Sequence, residues 1–331
     1  MSVQNRVIEP DEAGMRLDRW FKEHYPGLGF GQLQKLLRTG QVRLDGGRAK
    51  TDVRVRAGQT VRIPPNVGEP RRAGPMTVNT IRVQPDGDVL SRMVIYEDER
   101  AFVLNKPAGL ATQGGSGVTR HIDGMLEAWR NKRGEKPRLV HRLDRDTSGA
   151  LVVARTRRAA QDLTAAFRRR ETRKVYWSLV KGVPAKREGR ISNWLAKEQT
   201  PDGDRMRVVP HGTGGADHAV SRWRVIDAVA QRLAWLEMQP ETGRTHQLRV
   251  HALALNHPII GDPKYFEADQ NWDFPGGIQK RLHLHARRIT VPLGGKTIDV
   301  TAPLPPHMVQ SWNLLGFDEA AGDEASTEDA A

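Results

Sequence analysis

Cysteine is missing altogether from the 331 residues of this chain. Its absence removes disulfides, thiol nucleophiles and cysteine-ligated zinc from the chemistry to be considered. Long apolar runs are missing as well, and nothing approaches the ~20 residues that span a bilayer. The opening stretch MSVQNRVIEPDEAG carries acids and has no apolar centre, so no signal peptide is expected. No basic amphipathic helix or lipidation signal points to a membrane surface. A nucleotide-phosphate loop is lacking too. Gly114-Gly115-Ser116-Gly117 is not followed by Gly-Lys-Ser/Thr, and the GGKT string at 294–297 has Thr290 where the first glycine would stand. These shortages together predict a soluble, cytoplasmic protein.

What the chain does have is positive charge. Its formal net charge is +13. The last fifteen residues, Phe317 to Ala331, hold six acids and no base, so the remainder carries +19. A field of that sign calls for a polyanion as partner. The length suits two domains or one with an appendage. The acidic end, 317–331, reads as disordered, because it is charged and small-residue-rich with little to bury. It is expected either to act as a solubilising end or to compete weakly for the basic surface.

Residues 1–14 read as a polar leader. Two short helices follow, at Met15–Tyr25 and about Phe30–Arg38, with Leu33, Leu36 and Leu37 on one side and Gly40 as a C-cap. Gln32, Lys35 and Arg38 face out from the second. Short strands are expected at 41–44, 53–55 and 60–63. The strings RLDRW, LQKLLRTGQVRLDG and AGQTVRI within this stretch resemble the S-four-type RNA-binding domain, which implies an RNA-binding module over 15–66. The second helix departs from that pattern by opening with Leu28-Gly29-Phe30-Gly31. The family's serine and arginine are absent there, and the lost phosphate contact implies a weaker grip on RNA. Residues 67–92 are rich in Gly, Pro, Arg and Asp and read as a linker.

Beyond it, strands are expected at 94–96, 101–106, 150–154, 175–180 and 233–238, and a hairpin over 288–301. Helices are expected at 122–132, 158–170 and 245–255. The polar stretch 197–218 reads as a long insertion loop. At the centre lies His141-Arg142-Leu143-Asp144-Arg145-Asp146-Thr147-Ser148-Gly149, which runs into the apolar strand Ala150–Ala154. Thr-Ser-Gly is turn chemistry, so the carboxylates sit on a loop feeding a sheet. Flanking arginines keep a carboxylate ionised, and an ionised carboxylate serves as nucleophile or general base. From composition alone the same cluster better suits an ion-pair network that pins a turn, because such networks are common.

Three stretches, HRLDRDTSG at 141–149, RKVYWSLVKG at 173–182 and ETGRTHQLRVHALALNHPIIGDPKY at 241–265, resemble in order and spacing the pseudouridine synthases of the RluA family. NKPAGL at 105–110 and LHLHARRI at 282–289 add to the likeness, which covers about 93–310. The resemblance implies an α+β catalytic domain over 93–316, with a mixed, largely antiparallel sheet, flanking helices and a cleft across its middle. The small N-terminal α/β module would accompany it. It implies isomerisation of uridine in RNA, ribosomal RNA of the large subunit above all, without cofactor or metal, by a monomer. Asp144 would be the catalytic carboxylate and Arg249 the cation that orients it, with Arg244 a competitor. Tyr176 would stack on the extruded base and relay the proton lost from carbon 5. Asp146, two residues on, would face the other way. Arg142 would fill the vacated helix, and Arg168, Arg169, Arg170, Arg173 and Lys174 would hold phosphates.

Other classes of function fit less of the chain. A non-catalytic RNA-binding or ribosome-assembly protein shares the charge and the module, but has no need of Asp144, Tyr176 and Arg249 together. A synthase acting on transfer RNA is a second alternative. A small-nucleoside hydrolase gains nothing from a basic module. A glycosidase needs two opposed carboxylates, one of raised pKa. The late histidines invite a metal, yet His246 and His251 are five apart where a helical zinc pair needs four.

Overall fold

The structure, a computed structural model, describes residues 3–25, 27–65, 67, 80–115, 118–131, 134–200, 204–266 and 276–328. The chain divides into two compact units, Met1–Thr80 and Ile81–Ala331.

The first unit has strand β1 (Gln4–Val7), helices α1 (Leu17–His24) and α2 (Phe30–Arg38), and strands β2 (Arg43–Leu44) and β3 (Thr60–Ile63), in sheet order β1-β3-β2. Leu17, Trp20 and Phe21 from α1 meet Leu33, Leu36 and Leu37 from α2 over Val61 and Ile63. Spacings of three and four residues put each set on one helical face. Glu12 is buried beside them, accepting from Trp20 Nε1 at 3.0 Å, so it stays below the usual carboxylate range despite burial. The supposed polar leader is therefore part of the fold: β1 pairs with β3 from Gln4↔Ile63 to Val7↔Thr60. Its polar composition hid it because the strand is edge-placed and largely exposed. The strand expected at 53–55 reduces to a single bridge, Arg54 with Arg16. Gln32, Lys35 and Arg38 are exposed on α2 as expected.

The second unit opens with helix α3 (Thr80–Met93), which corrects the linker reading for those residues; 68–79 lie outside the described residues. Leu90 supplies the reason, being fully buried against Leu104, Leu126 and Leu151. Strands β4 (Val94–Glu97) and β5 (Ala101–Lys106) follow, then a short helix α4 (Ile122–Met125) that tightens into a 3-10 turn at Leu126–Trp129. Of the string Gly114-Gly115-Ser116-Gly117, the last two residues lie outside the described residues. Then come β6 (Arg138–Leu139), β7 (Ser148–Ala154), α5 (Arg157–Arg169) and β8 (Arg173–Lys181). Strands β9 (Glu188–Glu198), β10 (Arg205–Val209), β11 (Asp217–Val229) and β12 (Leu233–Pro240) continue the sheet. Helix α6 (Gln247–Ala254), β13 (Leu284–Leu293), β14 (Lys296–Thr301), α7 (Pro306–Leu315) and α8 (Glu319–Glu328) complete the unit.

The strands form one sheet in the order β10-β9-β11-β12-β8-β13-β7-β5-β4, with β14 on β13 and β6 on β7. Among the described residues its one parallel ladder is β7 with β13; the others are antiparallel. The mixed, largely antiparallel α+β architecture implied by the sequence is the one observed. The insertion loop is not. The described residues of 197–218 include the end of β9, all of β10 and the start of β11; 201–203 lie outside the described residues. Strands β9 and β11 pair along eight residues from Asp217↔Leu195 to Arg224↔Glu188. Their alternation was masked by charged residues on the outward face, such as Arg190 and Arg222.

The acidic tail is corrected over 317–328; 329–331 lie outside the described residues. Phe317 is buried, and α8 docks on the sheet through Arg287. This buried guanidinium donates to Asp323 at 2.6 and 3.1 Å, pairs with Glu319 at 3.0 Å, and lies 4.1 Å over the Trp177 ring. A buried arginine needs carboxylates, and the tail brings them. Two of its six acids are committed there, which removes them from any competition for a basic cleft. Gly322 lets the helix approach, since a Cβ would collide with the edges of Trp177 and Trp235. Gly322→Ala is expected to loosen α8 and lower stability by about 1–3 kcal/mol, the usual cost of overpacking. A red shift of tryptophan emission with a lower melting temperature would register it.

Candidate active site

The central loop stands where the chain enters β7, beside β13. Ser148 and Gly149 pair in parallel with His285 and Ala286 of β13. Gly149 has φ +110, and a Cβ there would overlap the Ala286 backbone. Only glycine allows this close approach directly after the loop. Ser148 Oγ meets His285 Nδ1 at 2.9 Å, and His285 Nε2 meets the Ala302 carbonyl. Burial pushes this imidazole down to about 3, so it works as a neutral brace.

NKPAGL cradles the loop from the other side. Lys106 is fully buried, and its ammonium donates to the carbonyls of Pro107, Leu110 and Arg145 at 2.9, 2.8 and 3.0 Å. Burial pushes Lys106 down to about 7, opposed by the charges of Asp146 and Asp144. Thr112 Oγ1 donates to the Leu143 carbonyl at 2.6 Å and accepts the Leu143 amide at 3.2 Å. His141 accepts the Val152 amide at 2.8 Å and stacks on Phe167. Lys106 and Thr112 hold the backbone on either side of Asp144, at Leu143 and Arg145, which leaves its carboxylate to project.

It projects into an open cleft of about 540 Å³ lined by Arg142, Asp144, Lys174, Tyr176, His246 and Arg249, among others. Asp144 Oδ2 lies 3.5 Å from Arg249 Nη1 and 3.9 Å from His246 Nε2. Arg249, buried on α6, is chiefly held elsewhere. Its Nε and Nη2 each donate to Asp262 at 2.7 Å, a two-pronged pair that leaves Nη1 for Asp144. Arg244 lines the same cleft but is held by Asp217 at 3.3 Å and the His218 carbonyl at 3.2 Å rather than by Asp144. Asp146 sits at the surface beside Arg145, outside the cleft lining.

Tyr176 and Lys174 alternate along β8 and so share its cleft face. Burial first, then the charge of Asp144, pushes the Tyr176 hydroxyl well above its ordinary range. The phenol therefore keeps its proton, and a relay through it must hand that proton on as another arrives. Burial, aided by Arg170, pushes Lys174 down to about 8. Arg142 is exposed at the rim and hydrogen-bonded to Thr245 Oγ1. Arg168 and Arg170 line the same cleft, whereas Arg169 pairs with Glu171 away from it.

A second cleft of about 810 Å³ continues from the first across shared walls at Arg170, Thr172 and Lys174. It collects Arg173 together with Arg190, Arg222 and Arg224 from β9 and β11. Sequence reasoning missed these last three, and also Asp262, His246, Lys106 and Tyr265. A clue existed for Asp262: a buried arginine needs a carboxylate, and Asp262 is the one acid of the stretch from Gln247 to Tyr265. The late histidines are used inside the core, His283 on Ser311 and His285 on Ser148.

Residues 100–254 match the family described as RNA pseudouridylate synthase. Ribosomal large subunit pseudouridine synthase C of Vibrio cholerae is 34% identical over 316 residues, covering 93% of this chain and 96% of that protein. The chain belongs to the RluA family of RNA pseudouridine synthases. Another relative, the mitochondrial RNA pseudouridine synthase 4 of Arabidopsis thaliana, is 33% identical, across 90% of this chain and 78% of its own. Among solved structures, human RNA pseudouridylate synthase domain containing 4 superposes with a TM-score of 0.60 at 28% identity. That match covers 71% of this chain and 98% of the human one. As a member of this family the protein is an isomerase acting on RNA. Among the described residues, no helix is long and apolar enough to cross a membrane.

Proposed function

We propose that this synthase converts uridines of large-subunit ribosomal RNA to pseudouridine, with Asp144 as the catalytic carboxylate. The observation that carries the proposal is convergence: Asp144, Tyr176 and Arg249 come from a loop, a strand and a helix and line one cleft. The reaction breaks the bond between the sugar's anomeric carbon and base nitrogen 1, turns the base, and rejoins it through carbon 5. Addition of a carboxylate to the nucleoside and abstraction of a sugar proton both need an ionised oxygen at the cleft floor. Asp144 places a carboxylate in the cleft, with Arg249 Nη1 3.5 Å away to orient it. Tyr176 offers its ring to the extruded base. No oxidation state changes and no group leaves, so the chemistry requires neither cofactor nor metal.

The continuous arginine-lined clefts favour a polynucleotide over a free nucleoside. Arg142 at the rim suits the displaced strand, and Arg168, Arg170, Arg173 and Lys174 suit its phosphates. Ribosomal rather than transfer RNA is supported by the Vibrio relative, which is named a ribosomal large subunit pseudouridine synthase. A cytoplasmic monomer is the simplest setting, since every group named lies on one chain that lacks cysteine.

Incubating the purified protein with large-subunit ribosomal RNA and mapping pseudouridine by carbodiimide-stopped primer extension tests this reading. New stops in the ribosomal transcript are expected. Stops confined to a transfer RNA control would overturn the target.

The first unit is proposed to supply added RNA grip through Gln32, Lys35 and Arg38. Deleting residues 1–66 is expected to weaken binding to long structured RNA and flatten its salt dependence, because fewer phosphates are neutralised. Turnover at saturating RNA should persist, as the catalytic groups all lie beyond residue 140. Titrations at several salt concentrations, paired with single-turnover assays, would read both effects.

A further inference from the structure

His246 precedes α6 with φ 53, a left-handed conformation that non-glycine residues adopt sparingly. That backbone swings its ring into the cleft between Asp144 and Tyr265. Nδ1 lies 2.8 Å from the Tyr265 hydroxyl, and Nε2 lies 3.9 Å from Asp144 Oδ2. The proton positions follow from the next link. Tyr265 Oη already accepts the amide hydrogen of Met206 at 2.8 Å. Above its ring stands the Arg249 guanidinium, 5.0 Å from the centroid, which offers no lone pair. Among the described residues, the acceptor left for the phenolic hydrogen is His246 Nδ1.

Burial raises the phenol and lowers the imidazole; Asp144 opposes the second shift and Arg249 assists it. The hydroxyl keeps its hydrogen and the ring is neutral. With Nδ1 accepting, the imidazole hydrogen sits on Nε2 and faces Asp144. Arg249 Nη1 approaches the same Oδ2 from 3.5 Å. Both separations exceed a tight hydrogen bond, as is common before substrate closes a site.

We propose that His246 is a positioning residue for the isomerisation: as the Nε2–H tautomer, it shares Oδ2 of Asp144 with Arg249 and leaves Oδ1 to face the uridine. The inference rests on the reading of Asp144 as the reacting carboxylate. It assigns Tyr265 the task of fixing the tautomer. It also ties the site to the β9–β10 hairpin, since the Met206 amide that sets the phenol belongs to β10.

Two measurements test it, both on the full-length protein. Two-bond ¹H–¹⁵N spectra of ¹⁵N-histidine-labelled protein, with His246 assigned by its loss in His246→Gln, are expected to show Nε2 protonated and Nδ1 bare at pH 7. Tyr265→Phe should shift His246 toward mixed tautomers. A protonated Nδ1 in the wild type overturns the proposal without any assay of activity. The second measurement is turnover at saturating RNA. Asparagine tolerates the left-handed backbone but does not reach Oδ2, so His246→Asn should lower kcat about 10- to 100-fold, the scale of a misplaced reacting group, with KM nearly unchanged. His246→Gln restores an N–H near the Nε2 position and should recover most of the loss. Wild-type kcat in His246→Asn, alongside an inactive Asp144→Asn, overturns the positioning role and leaves the reading of Asp144 intact. An active Asp144→Asn overturns both.

Discussion

Asp144→Asn is expected to bind RNA within a few fold of wild type and to form no pseudouridine, a loss in kcat of about 10⁴-fold or more, as when a reacting group is removed. The amide keeps the shape of the side chain but has neither the charge nor the lone-pair basicity that either route of glycosidic cleavage demands. Folding should be nearly unaffected. Asp144 is partly exposed, and Arg249 keeps its two-pronged partner Asp262 when the 3.5 Å contact is weakened, so the stability change should stay within about 1 kcal/mol. Asp146→Asn is the matched control. Its carboxylate pairs with exposed Arg145 outside the cleft, and measurable turnover should remain. Quantifying pseudouridine after single-turnover reactions separates the two. A dead Asp146 variant beside an active Asp144 variant would reverse the assignment.

Local pattern and covalent order explain what could be read from the sequence. The loop, the strand of Tyr176 and the helix of Arg249 each carry their own signals: a turn motif before an apolar run, an apolar β-branched stretch, and helical periodicity after Gly243. Their likeness to one family supplied the pairing that no single segment could. Elements that failed to show were those whose reason lies elsewhere in the chain. Strand β1 is polar because it is an edge. Helix α8 looks disordered until Arg287, 36 residues before Asp323, is seen buried and in need of acids. The rivalry between Arg244 and Arg249 could not be resolved by spacing, since both lie within one short stretch. The fold separates them by where β11 and Asp262 stand: Asp217 and His218 draw Arg244 outward, while Asp262 pulls Arg249 into the core.

That pull makes Asp262 the most consequential residue outside the reacting set. Its two oxygens take Nε and Nη2 of Arg249, and Oδ1 also accepts the amides of Lys264 and Tyr265. Asp262→Ala would leave a buried guanidinium with one distant partner and release the turn that seats Tyr265. Breaking a buried pair from one side costs about 3–5 kcal/mol, which for a domain of this size lowers the melting temperature by roughly 10 °C. Activity should fall further than stability. Freed from Asp262, Arg249 can swing onto Asp144 with both prongs, occupying Oδ1, the oxygen left to face the uridine, as well as Oδ2. Asp262→Asn separates the causes, because the amide keeps an acceptor for the turn while removing the charge. If charge is what disciplines Arg249, the Asn variant should melt nearer the wild type yet lose turnover almost as completely as the Ala variant. Thermal melts and single-turnover rates measured on both variants decide it, and an Asn variant with wild-type turnover would show that the turn, not the ion pair, is what the site depends on.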